Sequence, residues 1–136
     1  MMNAMQSSVS GLRANMTKMD VIANNIANVN TNDFQSSRVA FTESFSQTIE
    51  QARQAASNNA GTNPMQVGSG VAIASIDRIT TPGAQRMVDG EVETMSNTDL
   101  AAEITSMITT QRTFEANTRV IPVVDSMLED VVNLRA

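Results

Sequence analysis

A chain of 136 residues whose only aromatics are four phenylalanines, and which has neither histidine nor cysteine, has few routes to chemistry. Without histidine there is no Ser–His–Asp or Cys–His catalysis and no histidine-ligated zinc, and without cysteine there is no disulfide framework or thiolate metal site. The formal charge of −5, with nine Lys and Arg scattered along the chain, argues against nucleic acid as a partner, and no apolar run approaches the roughly 18 residues of a membrane span.

At the N-terminus, Met5, Val9, Leu12, Met16, Met19, Ala23 and Ile26 recur in alternating steps of four and three. Val9, Met16 and Ala23 take position a of a heptad, and Met5, Leu12, Met19 and Ile26 take position d. The spacing predicts a helix over residues 3–30, about 42 Å long. Such a stripe cannot be buried by its own helix and needs a partner. The opposite face carries Ser7, Ser8, Arg13, Lys18, Asp20 and Asn24. No cleaved secretory signal is expected, because the first basic residue is Arg13 and no continuous apolar core follows Met1. Five asparagines (Asn24, Asn25, Asn28, Asn30, Asn32) then crowd the end of the helix, although asparagine is a mediocre helix former.

Residues 42–56 are predicted to be helical, with Phe45, Ile49 and Ala52 on one side, and SNNAGTNP (57–64) carries turn chemistry. Val71, Ile73, Ile76 and Ile79 suggest one or two short strands. A hairpin across residues 70–94, with Met87, Val88 and Val92 in its second arm, fits the punctuation at TPG (81–83) and VDG (88–90). VGSGV lacks the lysine and spacing of a phosphate loop, and Asp89, Glu91 and Glu93 read as a solvated strand face rather than a calcium loop. Glu43, Glu50, Asp99 and Glu103 have no groove residues around them in sequence, so no enzymatic activity, metal or cofactor is expected.

Ser96-Asn97-Thr98-Asp99 fits a capping box, with Glu103 adding negative charge in the first turns of a closing helix. Leu100, Ile104, Met107, Gln111 and Phe114 follow at four–three spacing, and Val120, Val124, Met127, Val131 and Leu134 repeat it, offset by one residue. Pro122 predicts a kink or break near residues 118–122, at about 3 kcal/mol if the helix continues. The expected fold is therefore one mainly α domain over residues 1–136. A helix and motif (1–33), a middle helix or loop with short strands (34–95) and a closing helix (96–136) make it up. The long helices are expected to pair as an antiparallel coiled coil around a small β-hairpin. The assembly seam is assigned to Met5, Val9, Leu12, Met16, Met19 and Ile26 with Leu100, Ile104, Met107, Phe114, Val124, Met127 and Val131.

The segment SSVSGLRANMTKMDVIANNIANVNTNDF resembles the opening motif of the bacterial flagellar rod and hook axial proteins. Ala23, Asn25, Ile26, Ala27, Asn28, Thr31 and Phe34 match it, with Asp33 where the family has glycine. SNTDLAAEITSMITTQRTFEANTRVI is similar to that family's closing helix through Leu100, Glu103, Met107, Ile108, Gln111, Arg112, Glu115, Ala116 and Asn117. Together the two segments cover about residues 5–40 and 94–135, and NPMQVGSGVAIASI is similar to the strand after the first helix in hook and distal-rod members.

The resemblance implies a structural subunit of the basal-body rod or rod–hook axis, with no cofactor. It would polymerise through its terminal helices into a torque-transmitting export tube. Its partners would be further copies, other rod and hook proteins and the flagellar type III export apparatus, and its place the periplasm-spanning rod. The short passage from Ile79 to the closing helix leaves no room for a large inserted outer domain, which points to a minimal, proximal-rod-like member or a short hook-like paralogue. In that setting the asparagines either finish the helix or bond between subunits, and Asn24, Asn25 and Asn28 favour the second role. A soluble helical adaptor or export chaperone is the alternative from another class. A rod-associated peptidoglycan hydrolase would need a pocket that the middle segment is too short and plain to build.

Overall fold

The computed structural model describes residues 2–50 and 63–134. The first helix, α1, spans Met2–Ala27, and the last, α2, spans Leu100–Asn133. They lie side by side and antiparallel: Asn25 meets Glu103, and Gly11 lies against Asn117. The buried residues of α1 are Ser8, Gly11, Ala14, Asn15, Ile22 and Asn25, and those of α2 are Thr110 and Val124. Small and polar side chains thus make the contact, and their low bulk lets the helices approach closely.

The expectation of a mainly α chain with one hairpin is overturned. Among the described residues six strands form three separate two-stranded antiparallel sheets, β1 with β4, β2 with β3, and β5 with β6. β1 (Ser37–Glu43) and β4 (Val71–Arg78) pair with a bulge between Ala40 and Phe41. β2 (Ser46–Glu50) and β3 (Met65–Gly68) form the second ribbon. Within the described residues the predicted helix over 42–56 is instead the end of β1, a two-residue link at Ser44 and Phe45, and β2, because Thr48 and Ile49 fit a pleated strand once β3 offers a partner. Its remaining residues, and most of the predicted turn at 57–64, lie outside the described ones.

Nor does β4 turn back on residues 85–94. It is claimed by β1, and β5 (Gln85–Val88) and β6 (Glu91–Thr94) close a hairpin of their own. Asp89 and Gly90 form its two-residue turn with φ of 51° and 87°, the left-handed pair that suits right-twisted strands.

The helix ends are set by local chemistry. α1 stops at Ala27, three residues before the expected end, where Asn28 donates its Nδ2 to the Asn24 carbonyl (2.9 Å) and accepts from the Thr31 hydroxyl (3.1 Å). Asp33 then adopts φ 58°, and its N–H reaches the Thr94 carbonyl at 2.9 Å, tying the turn to the end of β6. Aspartate tolerates this left-handed backbone better than most residues. At α2 the cap is Asp99, not Ser96: its carboxylate accepts from the N–H groups of Ala101 (3.0 Å) and Ala102 (3.3 Å). α2 continues through Pro122 without a break. Its threonines, weak helix formers, direct their hydroxyls to carbonyls four residues back, as Thr110 does to Ser106 at 2.7 Å.

β4 is fastened to α1 at its first residue. The Ser10 hydroxyl accepts from the Val71 N–H (3.2 Å) and donates to the Ser7 carbonyl (2.7 Å). Gly70, at φ 111°, abuts this turn of helix so closely that a Cβ would collide with the Ser10 side chain and meet the Ser7 backbone. Gly70→Ala should therefore destabilise the monomer by about 2–3 kcal/mol, combining backbone strain with a clash. Gly90→Ala, strained in φ but facing open space, should cost only about 1 kcal/mol. Urea unfolding followed by circular dichroism measures both, and equal losses would contradict this packing.

Candidate assembly surface

Two asparagines hold the junction where helices and sheet meet. Asn25, with 1% of its surface exposed, uses both faces of its amide. Its Oδ1 accepts from the Ser37 N–H at 2.9 Å, and its Nδ2 donates to the Ser37 carbonyl at 2.8 Å and to Glu103 Oε1 at 3.0 Å. One side chain thereby pairs with the start of β1 as a strand would, while gripping the first turns of α2. Asn97, just before α2, ties the residue before β1 to the chain just after β4. Its Oδ1 accepts from the Ser36 N–H (2.7 Å), and its Nδ2 donates to the carbonyls of Ile79 (2.8 Å) and Thr81 (2.7 Å). Among the described residues no buried side-chain polar atom lacks a partner.

These contacts give the asparagine cluster an intrachain task. Asn25 is saturated within the chain, Asn28 ends α1, and Asn24 is exposed. Of the family-motif residues, Ala23, Ala27 and Thr31 are exposed and Ile26 and Phe34 half-buried. On α2, Gln111 and Ala116 face outward, Asn117 faces Gly11, and Arg112 pairs with Glu115 at 3.0 Å on the surface.

The apolar stripe assigned as the assembly seam lies beside this polar contact rather than in it. The buried positions Ser8, Asn15 and Ile22 precede Val9, Met16 and Ala23 by one residue each. Met5, Val9, Leu12, Met19 and Ile26 are half-buried, and Met16 is 56% exposed. On α2, Met107 and Phe114 are half-buried and Val124 is buried, but Leu100, Ile104, Met127 and Val131 are exposed. Ile108, Val120, Val123 and Val132 add to the outward apolar surface. The helix pair thus leaves a large apolar area exposed beside its inner contact.

Between α1 and β4 runs an apolar groove of about 540 Å³ lined by Met5, Val9, Ala14, Val71 and Ile73, with Arg13 at its edge. Among the described residues no group of His, Cys, Asp or Glu could hold a metal ion, and no helix is long and apolar enough to cross a membrane. Sequence reading missed Ser8, Ser10, Ala14, Asn15 and Asn97 as contact residues. For Ser8 and Asn15 the signal was the seven-residue step Ser8–Asn15–Ile22, which a search for apolar periodicity passes over.

Two family models match the chain at its two ends. The one described as flagella basal body rod protein matches residues 5–35, and the one described as flagellar basal body rod FlgEFG protein C-terminal matches residues 90–134. The flagellar hook protein FlgE of Borreliella burgdorferi is 51% identical over 84 residues, which are 62% of this chain and 19% of that protein. The flagellar basal-body rod protein FlgG of Bacillus subtilis is 44% identical over 84 residues, 62% of this chain and 32% of that protein. The FlgG of Caulobacter vibrioides is 37% identical over 94 residues, 68% of this chain and 36% of that protein. The chain belongs to the flagellar basal-body rod and hook family. It matches no more than about a third of the length of these relatives.

Because Asn25 satisfies the N–H and carbonyl of Ser37, Asn25→Ala leaves part-buried backbone groups unpaired. The expected loss is about 2–4 kcal/mol, against less than ~0.5 kcal/mol for the exposed Asn24→Ala. Chemical denaturation of the purified monomer measures the difference.

Proposed function

We propose that this chain is a structural subunit of the flagellar rod or rod–hook axis, built to assemble through the outward faces of its paired helices. The observation that carries the reading is the division of labour on α1. Its polar and small residues close the intrachain contact, while Leu12, Met16 and Met19 form a separate apolar strip beside it. The apolar seam named from the sequence is thus proposed to meet neighbouring subunits. Catalysis has no part in this role.

Export through the flagellar type III channel and residence in the periplasm-spanning rod belong to the same proposal, as does contact with other rod and hook proteins. Ile79 and the start of α2 at Leu100 are joined by one short hairpin. That supports a minimal, proximal-rod-like member over one carrying a large outer domain at this point.

Mass spectrometry of detergent-purified hook–basal bodies, with a cytoplasmic protein as control, tests the reading. Stable enrichment is expected, and retention of the chain in the soluble cytoplasmic fraction would favour an adaptor instead. In the same assay Leu12→Asp should remove the protein from basal bodies while leaving its export and the helicity of the monomer intact. Normal rods carrying Leu12→Asp would refute the seam.

A further inference from the structure

We propose that the groove between α1 and β4 receives the last turns of α2 from a second copy of the chain. The proposal rests on the reading that copies assemble, and it names one contact through which they do.

Among the described residues both halves of the contact are unfilled. The pairing of Gly11 with Asn117 in antiparallel helices brings Met2 opposite about residue 126. Among the described residues the turns of α2 after that point have no part of α1 beside them. There Met127, Val131 and Leu134 are 53%, 50% and 86% exposed. The groove offers Met5, Val9, Val71 and Ile73 as an apolar floor. Its length along α1, from Met5 to Thr17, is about 18 Å, enough for the roughly 12 Å of helix between residues 126 and 134. The end of α2 cannot enter the groove of its own chain, because α2 is one continuous helix to Asn133 and cannot fold back onto β4.

Charge selects the same occupant. Arg13 at the groove edge makes no ion pair among the described residues, and neither do Glu129 and Asp130 on the end of α2. An α2 end laid in the groove brings carboxylates to that guanidinium while its apolar residues cover Met5 and Val9. The exposed end of α2 is therefore matched to this groove in shape, in apolar character and in sign of charge.

The chain has no cysteine, so single introduced thiols report contacts cleanly. Copies carrying Val9→Cys are mixed with copies carrying Val131→Cys under mild oxidation, and the mixed disulfide is timed on a gel. The control pair is Val9→Cys with Thr105→Cys, which places the second thiol on an exposed face of α2 away from its end. Docking should make the first pair form about tenfold faster than the control, through the raised local concentration. Adding Arg13→Glu to the groove copy should slow it by about threefold, and Glu129→Arg on the α2 copy should restore the rate. Equal rates for the two pairs overturn the groove contact whether or not the chain polymerises, whereas the basal-body assay alone decides the axial reading.

Discussion

The arrangement depends on a single buried amide. Asn25 stands at the last full turn of α1, and its side chain offers a donor and an acceptor at the spacing of a peptide group. The Ser37 N–H and carbonyl take that place, so β1 begins where α1 ends, and the remaining Asn25 proton fixes Glu103 and with it the start of α2. A buried polar group is costly when unpaired, so one amide with three partners determines both the register of the helices and the position of the sheet. Asn97 repeats the device across Ser36, Ile79 and Thr81, and the two asparagines clamp the segment Ser36–Ser37 from both sides.

From this clamp the outer surface follows. Because polar contacts and small residues register the helices, few large apolar side chains are needed between them. Only Ala14, Ile22 and Val124 are buried hydrophobics among the described residues. The methionines, valines and isoleucines that a soluble monomer would bury are turned outward instead. A two-stranded ribbon is marginal by itself, and of the three ribbons only β1–β4 packs substantially against a helix, α1. Such a chain gains most from neighbours, which suits a subunit of a polymeric axis.

Sequence reading located the two long helices to within a few residues, because heptad periodicity over so many turns has no strand equivalent. It placed the contact one residue away from where it lies, because it scored apolar side chains and overlooked Ser8 and Asn15, which recur with Ile22 at the same seven-residue step. The strands were harder to read. Residues 46–50 pattern as readily for a helix as for a strand, and the choice is made by pairing with β3, a partner that local sequence does not reveal. β1 went unread for the same reason, since Val39 and Phe41 become a strand only beside β4. The asparagines were noticed, but an amide's partner twelve or seventy-eight residues away is settled by the fold.

Hydrogen exchange of the purified monomer against the assembled polymer tests the account most directly. Amides of α1 around Asn25 and of α2 around Glu103 should be protected in both states, while those of residues 126–134 gain protection only on assembly. Equal protection of residues 126–134 in the monomer, or rapid exchange around Asn25 before assembly, would contradict it.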